Sequence, residues 1–516
     1  MMTGRFLQWG CGALLGVMVV VAQPGPARAE VLADALVSAY VNSGLLEQNR
    51  ALLRAADEDV AQAVANLRPI IDWTAGITRE FSRVRSGSSN AFSTGSIGTA
   101  ETTANIGFTA SLLIYDFGRS DFLTEAAKET VLATRETLRS VEQQVLLIAV
   151  QAYMDVIRNR EFVDLRRNNL RLLQEELRAA QDRFEVGEVT RTDVAQAEAA
   201  VALAQSGLAV AEGDFARSVE EFREAVGRAP GDLRPPDDLT GLSSDIAAAK
   251  AAAVERHPDI IEAQHNVAAA EINIRAAAAA KRPSVNLTGQ LALDEELTGE
   301  GFSNGGSVGV ELRGPIYQGG RLSSLERQAR AQRDAQLARL HLAGLQVKQD
   351  VGNAYANLRA ARAGRAANIE AVRDEYYLAY FSSVLTALED VENAVVALAQ
   401  ERIRRQKLAS SAASYRSAAS LSQSLYKTGA SSFLDVLDAE QDLLDSQANL
   451  ISANADVVIA AYSVLASMGE LTVRDLNLAV QTYDPAAYYD VVKTAPVPSS
   501  PQGRKLDRVL RALGKY

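Results

Sequence analysis

From Arg119 to Val186 the chain contains neither glycine nor proline. Drawn as a single α-helix, that stretch is about 100 Å long, whereas a common helix runs to roughly 10–14 residues. Leu138, Val141, Val145, Ile148 and Ala152 within it step by three and four, the seam of a left-handed coiled coil. A second run, from Ile316 to Asp484, has no proline. A chain with two such runs is built around long packed helices, not around one compact core.

Each run follows the same octapeptide. LLIYDFGR (Leu112–Arg119) and GPIYQGGR (Gly314–Arg321) share Ile, Tyr, Gly and Arg at matching places. Arg68-Pro69 recurs as Arg282-Pro283, and Val186–Ala199 recurs as Thr428–Gln441. Order is kept while spacing drifts, which reads as an old internal duplication. It divides the chain into residues 30–233 and 234–484. Glycine at the end of each octapeptide lets the chain turn from strand to helix, and Tyr115 and Tyr317 suit an interface with one wet side.

Upstream of each octapeptide lie alternating patterns. Ile71, Trp73, Ala75, Ile77 and Phe81 alternate with Asp72, Thr74, Thr78 and Glu80. Ile106, Phe108, Ala110, Leu112 and Ile114 do so with polar or glycine neighbours, as do Val285–Leu293 and Val308–Leu312. Four strands are expected, at about 70–82, 104–116, 284–294 and 306–317. Each has an apolar and a polar face and about the ~9–11 residues of a tilted membrane strand. The polar stretches Ser82–Thr103 and Glu295–Gly306 read as loops. Such alternation fits a soluble hairpin on a core as well as a membrane strand. Four strands cannot close a barrel within one chain, and the simplest remedy for open edges is a symmetric oligomer whose copies close it together.

The first 29 residues read as a secretory signal: Arg5, an apolar run from Gly12 to Ala22, then Ala27-Arg28-Ala29. The expected product starts at Glu30. Cys11, the only cysteine, leaves with the signal, so no disulfide, thiolate metal site or cysteine nucleophile is expected. The net charge of −11 argues against nucleic acid. No segment has 18 consecutive apolar residues, so no spanning helix is expected. His257, His265 and His341 are too sparse for a triad or metal site, and neither enzymatic activity nor a cofactor is expected. Residues 485–516, with four prolines and then a short basic helix, read as a mobile tail.

The far ends of the long helices carry the remaining signals. Thr190-x-x-Asp193 and Ser432-x-x-Asp435 are capping boxes that open return helices, and Gly187 and Gly429 end the outgoing ones. Capping accounts for Asp193 and Asp435. It does not account for Asp438, one turn beyond Asp435, whose counterpart is Gln196. In a symmetric oligomer, Asp435 and Asp438 would each be repeated as a ring of acids, which favours cations.

Together these pieces resemble the TolC family of outer-membrane channel proteins, over roughly residues 31–480. The resemblance rests on RP before a strand, IYxxGR after one, ERHPDI at Glu255–Ile260 and the two tip motifs. It implies a mixed α/β membrane protein: a homotrimer with a 12-stranded β-barrel, four strands per copy, continuous with a long α-helical periplasmic tunnel. The implied function is an exit duct for efflux or type I secretion. It would sit in outer-membrane lipid and take substrate from a periplasmic adaptor and an inner-membrane transporter of the RND, ABC or MFS class. By resemblance the closed entrance is tied at Asp435, Asp438, Tyr426, Thr192 and Asp193, and Gly187, Thr190, Gly429 and Ser432 lie where the adaptor docks. The family's tip arginine is Ser431 here, with Arg191 near the other tip. Two other readings compete: a periplasmic adaptor with long hairpins, which should carry one hairpin and not two, and a coiled-coil surface protein, which would lack return helices.

One mismatch stands out. Gly320 to Gly429 exceeds Gly118 to Gly187 by 40 residues, and Asp350–Arg362 matches Asp390–Arg402 at the same spacing. The expected outcome is a duplicated segment that folds back through Gly364 or Glu375–Ser383, leaving the two tips level.

Overall fold

The computed structural model describes residues 30–85, 96–237, 239, 242, 245–370 and 433–512. Helices α1 (Leu32–Asn42) and α2 (Gly44–Ala65) lead into strands β1 (Ile70–Arg85) and β2 (Ser96–Tyr115), followed by α3 (Arg119–Glu185) and α4 (Arg191–Val226). Then come α5 (Ile246–Arg256), α6 (Pro258–Ala279), β3 (Ser284–Glu296), β4 (Phe302–Arg313) and α7 (Arg321–Glu370). After residue 432 follow α8 (Phe433–Ser467), α9 (Pro485–Val492) and α10 (Pro501–Ala512).

The strands form one antiparallel sheet in the order β1-β2-β3-β4. Register sets Trp73 opposite Phe108 and Phe108 opposite Leu291, with Ile71, Leu112, Leu287 and Val310 on the same face. The other face carries Asp72, Thr109, Gln290 and Ser307 in one row. At the ends away from the long helices the strands run further than the sequence predicts, whereas β4, expected to about 317, stops at Arg313, before Gly314 and Pro315, where proline offers no N–H to a ladder. Much of Ser82–Thr103 and Glu295–Gly306 is strand, not loop. Phe81, Val84, Ile97 and Thr99 favour extended backbone, and each rung of an existing ladder extends the next. The expected alternation through Ile114 also breaks. A register shift between Leu113 and Tyr115 sets Tyr115 opposite Val285, the re-aiming a β-bulge produces.

Both octapeptides make the same turn. Gly118 and Gly320 have φ of 81° and 83°, and the residues before them, Phe117 and Gly319, have 58° and 57°. At Phe117 an L-residue holds the left-handed region, its ring against Tyr115 at 4.8 Å and under the Arg282 guanidinium at 5.5 Å. The Asp116 carboxylate accepts from the Ser120 N–H at 2.8 Å, closing the first turn of α3.

α3 is continuous for 67 residues, about 100 Å. Its middle is buried on several sides by α2, α4, α6 and α8. The burial therefore departs from the expected seam: Ile148 is exposed, while Leu146, Ala149, Val150 and Tyr153 are buried. Tyr153 packs against Phe222 with ring centroids 6.4 Å apart, and its hydroxyl lies 2.9 and 2.7 Å from the carbonyls of Glu30 and Arg234. Glu30 is held by Arg228 and by the Gly231 N–H, which fastens the start of the described chain to the segment after α4. α4 and α8 each contain an 18-residue window apolar enough to cross a membrane by composition. Both are hairpin legs packed on α3, and alanine supplies much of their apolarity.

Two expectations need correction. α7 passes through Gly364 without a break, because a lone glycine costs a helix only about 1 kcal/mol. The alternative turn at 375–383 lies outside the described residues. The segment from 485 to 495 is docked. Tyr488 and Val492 are buried and the Tyr488 hydroxyl donates to Glu58 at 2.7 Å. Pro485 and Pro501 sit at helix starts, where proline is tolerated, so they do not break structure there.

Candidate functional site

The far end of the first hairpin is built as its residues dictate. Gly187 (φ 79°) ends α3 in a left-handed turn, with its N–H on the Phe184 carbonyl and the Glu188 N–H on the Arg183 carbonyl. Thr190 caps α4. Its N–H donates to the Asp193 carboxylate at 2.8 Å, and the Asp193 N–H donates to the Thr190 hydroxyl at 3.3 Å. Asp193 therefore performs the capping role expected of it, worth about 1 kcal/mol. Thr192 and Arg191 are exposed on the same turn.

Of the second tip, Tyr426, Gly429, Ser431 and Ser432 lie outside the described residues. α8 starts at Phe433, so Asp435 and Asp438 stand in its first two turns, and Asp438 is exposed. Leu437 fixes the height of this end. It packs against the buried pair Ala180 of α3 and Ala197 of α4, which Leu177 and Val194 also flank. The start of α8 is thus level with the first tip, and the two return helices have nearly equal lengths, 36 and 35 residues. Asp193 and Asp438 each lie one residue from a member of this shared apolar cluster. Leu437 carries no polar chemistry and sequence reasoning passed over it; its signal was an apolar residue between two acids at the start of a helix.

One turn further, burial first and then Glu176 of α3 push the Glu440 carboxyl above the ordinary range. Higher in the body, burial and the neighbouring Glu58 raise Asp57 to about 7 against the opposing pull of Arg135. The Asp57 side chain is fully buried, and its oxygens have no hydrogen-bond partner among the described residues. Two of the three histidines have structural roles: His257 caps α6 through the Asp259 N–H at 3.3 Å, and His265 pairs with Glu129 at 2.7 Å.

A sheet apolar on one uncovered face, opening through two matching turns into helices of tunnel length, is the architecture of an outer-membrane export protein. The profile described as outer membrane efflux protein matches residues 35–228, 251–379 and 364–470. The outer membrane efflux protein BepC of Brucella suis is 33% identical over 469 residues, 90% of this chain and 91% of that one. The pyoverdine export outer membrane protein OpmQ of Pseudomonas aeruginosa is 26% identical over 421 residues, 79% and 78% of the two chains. The solved outer membrane protein VceC of Vibrio cholerae superposes with a TM-score of 0.63 at 18% identity, over 85% of this chain and 96% of that one, which is a likeness of fold.

The chain belongs to the outer membrane efflux protein family. It is an outer-membrane exit duct in a family of transport proteins, and the periplasmic-adaptor reading falls away.

Proposed function

We propose that three copies close their sheets into one 12-stranded barrel, with the helical hairpins side by side beneath it as a periplasmic tunnel. The single observation that carries this is the sheet. Its apolar face is uncovered and β1 and β4 are edges among the described residues, and a bilayer tolerates no open edge. The tips, at the opposite end of α3 from the sheet, meet a periplasmic adaptor, and through it an inner-membrane pump passes substrate into the duct.

The two halves descend from one duplicated unit. The 40-residue excess between Gly320 and Gly429, and the match of Asp350–Arg362 to Asp390–Arg402, support an extra helical segment in the second half. Asp435 and Asp438, repeated by symmetry, ring the mouth, with Thr192, Asp193 and Tyr426 beside them and with Gly187, Thr190, Gly429 and Ser432 facing the adaptor. In planar bilayers, Asp438→Ala is expected to change conductance or cation preference more than Asp193→Ala does. The reverse order would overturn the assignment of Asp438 to the mouth.

A further inference from the structure

The segment after α8 climbs the helical body toward the sheet. Its contacts move along α1 and α2 in order. The Tyr483 N–H donates to the Tyr40 hydroxyl at 3.2 Å, the Tyr488 hydroxyl donates to Glu58 at 2.7 Å, and Arg68 donates to the carbonyls of Thr494 and Ala495. Arg68 lies two residues before β1, so Ala495 stands at the foot of the sheet, on the side where the long helices join it. α10 begins six residues later, its first turn pressed against Val497 and Pro498 at Gly503, where a Cβ would have no room.

α10 differs in charge from the rest of the protein. The chain carries a net −11, yet this helix places Arg504, Lys505, Arg508 and Arg511 against a single acid, Asp507. The four basic residues are exposed. Leu506, Val509 and Leu510, three and four apart, share the other side of the helix and are half-buried. A basic amphipathic helix with a narrow apolar stripe is suited to lie in a membrane interface and not across it. The surface at this height in an outer-membrane protein is the periplasmic leaflet, and anionic lipid attracts juxtamembrane basic residues within a Debye length of the headgroups.

We propose that α10 rests on the anionic phospholipid of the periplasmic leaflet, with its basic side chains at phosphate level and Leu506, Val509 and Leu510 toward the acyl boundary. The inference rests on the outer-membrane reading, and it gives the C-terminal segment a role as a collar that fixes the height of the helical body below the bilayer.

The test uses the full chain carrying Cys11→Ser and Val509→Cys, labelled with an environment-sensitive fluorophore. The protein is reconstituted in nanodiscs of phosphatidylcholine alone or with phosphatidylglycerol, each doped with nitroxide lipid. Quenching should be strong with phosphatidylglycerol and weak without it. It should fall at least about fivefold on raising salt, or with Arg504→Glu, Lys505→Glu, Arg508→Glu and Arg511→Glu together, since each basic residue near an anionic surface contributes a factor of roughly five. A second reporter at Val310→Cys, on the sheet, reads the outer-membrane placement separately. Quenching at 310 with none at 509, or equal quenching at 509 in both lipids, overturns the proposal alone. Protection at 509 that arises only on adding a periplasmic protein also overturns it, in favour of a protein partner. Silence at both positions refutes the membrane reading as well.

Discussion

The sheet and the helical body treat aromatic residues in opposite ways. On the sheet, Trp73 and Phe81 are 71% and 74% exposed, while in the body Tyr153 and Phe222 are 0% exposed. A large aromatic left in water forfeits most of the stabilisation its burial would bring, so the two regions have different surroundings. The body completes its core within one chain, where α1–α4, α8 and the segment after it bury Leu36, Leu53, Leu146 and Leu471 together. In the proposed assembly the sheet finds its cover outside the chain, in lipid on one face and in other copies along its edges.

Breaking each region should therefore give distinct failures. Tyr153→Ala removes a buried ring and the hydroxyl that ties Glu30 to Arg234, and is expected to cost about 3–5 kcal/mol. Thermal unfolding of the helical signal should show this whether or not lipid is present. Phe108→Lys, on the uncovered face, is expected to cost roughly 2–4 kcal/mol per copy at bilayer mid-depth. It should abolish outer-membrane recovery while Thr109→Lys, on the polar face, is tolerated. Equal damage from the two lysines would mean that the faces are wrongly assigned.

How much of this was legible in the sequence follows the same division. The strands and long helices were readable because alternation and the lack of glycine and proline are local signals. The matched turn at Gly118 and Gly320 was readable because it was written twice. What was missed depends on distant partners. The docking of residues 483–495 needs Tyr40, Glu58 and Arg68, more than 400 positions away, and prolines at helix starts look like breakers in one dimension. The packing of Leu437 against Ala180 and Ala197, which sets the start of α8 beside the first tip, leaves no mark in either segment alone. A heptad pattern places Ile148 in a seam because it assumes one partner, whereas α3 has several around its middle.

Smaller effects sharpen the comparison inside the body. The Asp57 carboxyl is raised to about 7 chiefly by burial. Between about pH 4 and 7 the unfolded chain releases a proton that the folded chain keeps, so stability from this group is greatest in acid and falls as pH rises through that window. Asp57→Asn is then expected to stabilise the protein by roughly 1–3 kcal/mol above pH 7 and to be nearly neutral at pH 4, as denaturant midpoints at the two pH values would show. A gain largest in acid would contradict the assignment. Asp193→Ala removes half of a capping box at the tip and should cost about 1 kcal/mol locally. Hydrogen exchange should accelerate in the first turn of α4 with α1 and α2 unaffected.

The central claim is that no single chain closes the sheet. In a Cys11→Ser background, one cysteine on β1 at Asp72 and one on β4, scanned along the polar face from Ser307 to Glu311, tests it directly. Oxidation in the outer membrane should join β4 of one copy to β1 of the next, giving covalent species that stop at three chains. A disulfide that forms within one chain, leaving a monomer on denaturing gels, would show that the four strands close on themselves and would contradict the account.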